Sequence, residues 1–95
     1  MKKILIIHGP NLNLLGEREV DVYGSTTIVQ INEALTHEAR SLELDLDIIQ
    51  SNHEGDIVTA IGEAAGNGFQ GILINPAAYT HTSIAILDAL KAITI

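Results

Sequence analysis

Three short apolar runs alternate with segments of helical periodicity, and this alternation constrains the chain more than any other feature. ILII at 4–7 and ILIN at 72–75 are continuous enough for strands covered on both faces, and LDLDIIQ at 44–50 alternates before turning apolar. Between the first two runs, Ile28, Ile31, Leu35, Ala39 and Leu42 recur at helical spacing behind Thr27 and Gln30, which are spaced as a capping box. A helix is therefore expected over 27–42. Ile57, Val58, Ile61, Ala64 and Ala65 make a second helical face, closed by Gly66-Asn67-Gly68. Ile84, Leu87, Ala89 and Leu90 mark a third helix, and 93–95 read as the first residues of a fourth strand. The order βαβαβα(β) predicts an α/β fold with a parallel sheet and helices on its faces. Ninety-five residues make a single domain, 1–95.

In such folds ligands bind beyond the carboxyl ends of the strands. Three segments fall there: HGPN after the first run, SNHEG after the second and NPAAYTHTS after the third. They concentrate amides, histidines and hydroxyls, whereas the opposite edge carries little that is chemical. The asymmetry predicts one site at the carboxyl edge.

Several chemistries are poorly supported. The net charge is −7, with only Lys2, Lys3, Arg18, Arg40 and Lys91 as cations, so no basic patch is available for nucleic acid. With no cysteine there is no thiol nucleophile, disulfide or zinc–thiolate site. Neither GxGxxG nor GxxxxGK[ST] occurs, which leaves dinucleotide and Walker-type phosphate sites without support. His8, His53 and His81 are candidates for a metal, but no carboxylate accompanies them at ligand-like spacing, and no metal or cofactor is expected. The apolar stretch after Lys2 and Lys3 is too short for a signal sequence, and no run approaches a membrane span; a cytoplasmic protein is expected.

The long loop after the first strand, HGPNLNLLGEREVDVYG, holds Arg18 and Tyr23 between Gly16 and Gly24, which suggests a mobile segment. A tyrosine phenol titrates near pH ~10, so a tyrosine acting as a base near neutrality needs a cation beside it. Such a base suits removal of a proton next to a carbonyl. A surface tyrosine and a solvated arginine fit the same spacing. Asn11, Asn13 and Asn75 are suited to orient a polar substrate or hold a water against an enolate, and equally to ordinary turns. Thr82 and Ser83 stand where the third helix begins, as an N-cap or as part of a carboxylate site. Asp88 falls mid-helix, where a solvated aspartate is ordinary.

GPNLNLLGEREVDVYG together with NPAAYTHTS resembles the type II 3-dehydroquinate dehydratases, and the similarity runs in order along essentially the whole chain. The resemblance implies a flavodoxin-like three-layer sandwich and a cofactor-free anti elimination of water from 3-dehydroquinate, through an enolate, to 3-dehydroshikimate in the shikimate or quinate pathway. It implies that Tyr23 is the base, that Arg18 favours its phenolate and closes with it as a lid, and that Asn11 holds the water beside the enolate oxygen. Asn75 and His81 are then substrate-binding, and Asp88 reaches a neighbouring subunit's site. The implied assembly is a homo-oligomer of trimers forming a dodecamer, with a small-molecule substrate and neither nucleic acid nor membrane as partner.

The chain departs from the family pattern at Val20, where a proline is usual, and at Leu87, where an arginine is common. The pattern also continues beyond residue 95, into segments carrying a Glu-x-His pair with the general acid, a serine that grips the substrate carboxylate and a substrate-binding arginine. The expectation is a truncated or incompletely recorded chain with little turnover of its own. Two other readings stay open on the residues: a ligand-binding or assembly module of the same fold without catalysis, and a phosphate- or nucleotide-binding domain using HGPN and THTS as anion loops.

Overall fold

The computed structural model describes all residues, 1–95. Its strands are β1 (Lys2–His8), β2 (Leu44–Gln50) and β3 (Gly71–Asn75), paired in parallel in the order β2-β1-β3. The helices are α1 (Val20–Tyr23), α2 (Ile28–Ser41), α3 (Glu54–Glu63) and α4 (Ile84–Ala92). This is the α/β, parallel-sheet architecture expected from the alternation. β1 is central, and its last residue, His8, stands opposite both Gln50 and Asn75. The three strands therefore end level, and the loops that follow them start side by side.

Successive strand residues face opposite sides of a sheet, and β1 shows where each layer lies. Leu5 and Ile7 join the core cluster with Ile57, Ile61 and Ala64 from the α3 segment and Ile86 and Ala89 of α4. His8, one residue on, turns to the other face, where its Nε2 donates to Asn32 Oδ1 of α2 at 2.8 Å. Helices thus cover both faces, as a three-layer sandwich requires. Ile7, Ile57 and Ile61 are wholly excluded from solvent at the centre of the core.

The ends of α2 are set locally. Thr27 Oγ1 accepts from Gln30 N–H at 3.2 Å while Gln30 Oε1 accepts from Thr27 N–H at 2.9 Å, closing the predicted capping box. Ser83 caps α4 by accepting from Ile86 N–H at 3.0 Å, which realises the simpler of the two readings of that residue.

Three expectations change. No fourth strand forms at 93–95: Ile93 has extended dihedrals, but a strand exists only as part of a ladder, and Ile93 packs against the core cluster instead. The segment between His8 and Gly24 is not one open loop, because it holds a 3₁₀ turn at Leu12–Leu14 and the short helix α1. The segment after β3 likewise contains a 3₁₀ turn, Ala77–Thr80.

Candidate active site

A cleft of about 640 Å³ opens at the carboxyl edge of the sheet. It is lined by Pro10, Asn11, Leu12, Leu15, Arg18 and Tyr23 from the segment after β1, and by Asn75, Ala77, Ala78 and His81 from the end of β3. Of the six residues to which the family resemblance assigns a role, five, Asn11, Arg18, Tyr23, Asn75 and His81, therefore converge; Asn13, Thr82 and Ser83 do not line the cleft. Asp88 does not join them; it is exposed on α4. The volume lies within the usual range of small-molecule sites, about 300–1,000 Å³.

One close backbone approach brings the walls together, and a second close contact seats the segment after β1 on α2. Gly9 N–H donates to Asn75 O at 2.8 Å, and a Cβ at residue 9 would lie 2.6 Å from the carbonyl of Pro76. Only glycine lets the two strand ends meet in this way. On the other side of the segment, Gly16 has φ +86°, and its open Cα faces the Thr27 methyl, 2.7 Å from where a Cβ would sit. Gly16 thus seats the segment against the cap of α2, and α1 follows with Tyr23 as its last residue.

Arg18 stacks on Tyr23, with its guanidinium carbon 4.6 Å from the ring centroid. The same guanidinium donates to Glu19 Oε1 at 2.8 Å. That hydrogen bond, foremost, raises the Arg18 pKa above its usual value, and the charge of Tyr23 adds to the effect more weakly. Glu19 was not marked in the sequence, although it adjoins Arg18. It sits at φ 35°, in the left-handed region, immediately before Val20, the first residue of α1. Proline suits the first position of a helix but pushes the preceding residue toward extended backbone. Valine here is compatible with the left-handed Glu19.

The asparagines divide their groups between structure and cleft. Asn75 Oδ1 accepts from Ala77 N–H at 3.1 Å, an Asx turn, which leaves its NH₂ for a ligand. Asn11 has φ 65°, its backbone N–H donates to Asn52 Oδ1 at 2.9 Å, and its side chain lines the cleft. The histidines do not gather: His8 is buried against Asn32, His53 stands at the N-cap position of α3 without a side-chain capping bond, and His81 is at the cleft. No group of three His, Asp or Glu side chains comes together in a metal-binding arrangement.

The family model for dehydroquinase class II matches residues 2–95. The chain belongs to this family. The 3-dehydroquinate dehydratase of Acaryochloris marina is 58% identical over 92 residues, covering 97% of this chain and 61% of that protein. The 3-dehydroquinate dehydratase of Caldicellulosiruptor saccharolyticus is 54% identical over 95 residues, covering 100% of this chain and 66% of the relative. The crystal structure of the type II dehydroquinase from Butyrivibrio crossotus superposes with a TM-score of 0.92 at 47% identity, over 96% of this chain and 63% of that one. The chain thus spans three fifths to two thirds of the length of these dehydroquinases. Its fold is theirs, flavodoxin-like with a parallel sheet. No helix is long and apolar enough to cross a membrane.

Proposed function

We propose that this class II dehydroquinase chain supplies the proton-abstracting half of a 3-dehydroquinate dehydratase site. The observation that carries the reading is the convergence of Asn11, Arg18, Tyr23, Asn75 and His81 on one cleft. Tyr23, as its phenolate, takes the proton from the carbon next to the substrate ketone. The C–H electron pair becomes an enolate. As the enolate collapses, the hydroxyl on the neighbouring carbon departs, takes up a proton from solvent to leave as water, and a conjugated enone remains.

Arg18 stacks its positive charge on the ring of Tyr23 and so holds the base in place. Asn11 presents an amide to the enolate oxygen, directly or through a held water. The NH₂ of Asn75 and the imidazole of His81 bind substrate hydroxyls. Asp88, exposed on α4, serves the site of a neighbouring subunit in an assembly of trimers forming a dodecamer. The protein works in the cytoplasm, on a small-molecule substrate and without a cofactor.

The test follows the ultraviolet absorbance of the conjugated enone after addition of 3-dehydroquinate, together with calorimetric titration of quinate. The full-length protein is expected to bind quinate and to form the enone. Tyr23→Phe keeps the ring stacked on Arg18 but removes the base; binding should persist while turnover falls by at least about 10²-fold. Unchanged turnover in Tyr23→Phe would remove Tyr23 from the reaction. Binding by wild type without any enone would favour the ligand-binding module.

A further inference from the structure

We propose that Asn52 is a positioning residue of this cleft, acting through the backbone of Asn11. Asn52 lies in the loop between β2 and α3 and does not line the cavity. Its side-chain oxygen nevertheless accepts from Asn11 N–H at 2.9 Å, across 41 positions of sequence. Asn11 stands in the left-handed region at φ 65°, which asparagine tolerates better than most L-residues, so the bond to Asn52 secures a conformation the residue can readily adopt.

Two further bonds make Asn52 a junction. Gln50 Nε2 donates to Gly9 O at 3.1 Å and to Asn52 Oδ1 at 3.2 Å, so both of its amide hydrogens are used. Asn52 Oδ1 thereby receives two donors, the full capacity of an amide oxygen. Its backbone oxygen accepts from Tyr79 Oη at 2.8 Å. Because the Asn11 N–H can only donate, the Asn52 amide has one orientation consistent with this network. Asn52, in the loop that follows β2, thus ties the segment that follows β1 to the segment that follows β3. These two segments are the walls of the cleft.

The consequence for turnover rests on the function proposed above; the consequence for the Asn11 backbone does not. The experiment has two arms on the same chain. Amide hydrogen exchange at Asn11, read by NMR, reports the bond itself, and quinate affinity with enone formation reports the site. Asn52→Leu keeps the approximate shape and removes the acceptor, whereas Asn52→Asp keeps it. In the leucine variant, Asn11 exchange should accelerate about tenfold, as expected for one lost hydrogen bond, and quinate affinity should fall by a similar factor. The aspartate variant should restore both, by more than any recovery of its urea midpoint accounts for. Should the leucine variant fail to fold, Asn52→Ser, whose hydroxyl is too short to span the gap, carries the same expectation.

Unchanged Asn11 exchange in the leucine or serine variant overturns the proposal. So does recovery in the aspartate variant that only follows recovered global stability. If wild type neither binds quinate nor forms enone, the proposed function fails, and the exchange arm still decides the role of Asn52.

Discussion

The Arg18 guanidinium lies over the face of the Tyr23 ring, 4.6 Å from its centroid, while one of its nitrogens holds Glu19 Oε1 at 2.8 Å. The cation is therefore shared between an aromatic ring and a carboxylate.

This sharing predicts the effect of Glu19→Gln. Freed from its carboxylate partner, Arg18 should attract an anionic ligand more strongly, and quinate should bind roughly two- to fivefold tighter at low ionic strength. Titrations at increasing salt should narrow the difference, because the pair is solvent-exposed and screened. Equal affinities at low salt would show that Glu19 does not compete for Arg18. Salt is the useful variable here, not alkali. The Arg18 pKa is raised, so the favourable contribution of its charge is complete below the ordinary arginine range and fades only above it.

At the strand ends, Gly9→Ala should separate the two cleft walls. The added methyl would meet the backbone of Pro76 at 2.6 Å and Asn75 O at 3.0 Å, and backbone atoms have no rotamer by which to yield. A loss of about 1–3 kcal/mol is expected in urea unfolding, together with weaker quinate binding. Wild-type stability and affinity in this variant would mean that the approach is looser than the geometry requires.

Glu43 offers the opposite outcome. It follows α2 and its capping residue Leu42 with φ 58°, the conformation in which helices commonly end on glycine. Glu43→Gly removes the left-handed penalty of a side chain and gives back part of the gain as unfolded-state entropy. A net stabilisation of about 0.5–1 kcal/mol should appear in urea unfolding. The cleft is distant in the fold, so quinate affinity should not change.

Thr27 caps α2 and also meets the segment carrying the base. Thr27→Ala should cost about 1 kcal/mol by opening the capping box. Thr27→Ser keeps the oxygen and should recover most of that loss. Both variants remove the methyl that faces Gly16, so a change in quinate affinity shared by the serine and alanine variants would report that contact.

Much of the architecture was legible because it rests on short-range chemistry. The apolar runs of β1, β2 and β3, the periodicity of α2 and the Thr27–Gln30 box each depend on residues within a turn or two of one another. So does the Arg18–Tyr23 pair, whose members are five positions apart and are joined by one helical turn. From the parallel order alone, the site could be placed at the carboxyl edge. Tertiary structure decided what no local period encodes. The hydrogen bond between Asn11 and Asn52, the link between His8 and Asn32, and the contact of Gly9 with Asn75 and Pro76 all depend on strand register. Residues 93–95 had the composition of a strand, yet Ile93 joined the core rather than a ladder, because strand formation requires a hydrogen-bonded neighbour as well as apolar side chains. The residue types at the site were therefore set by sequence, and their convergence by the level ends of three parallel strands, at His8, Gln50 and Asn75.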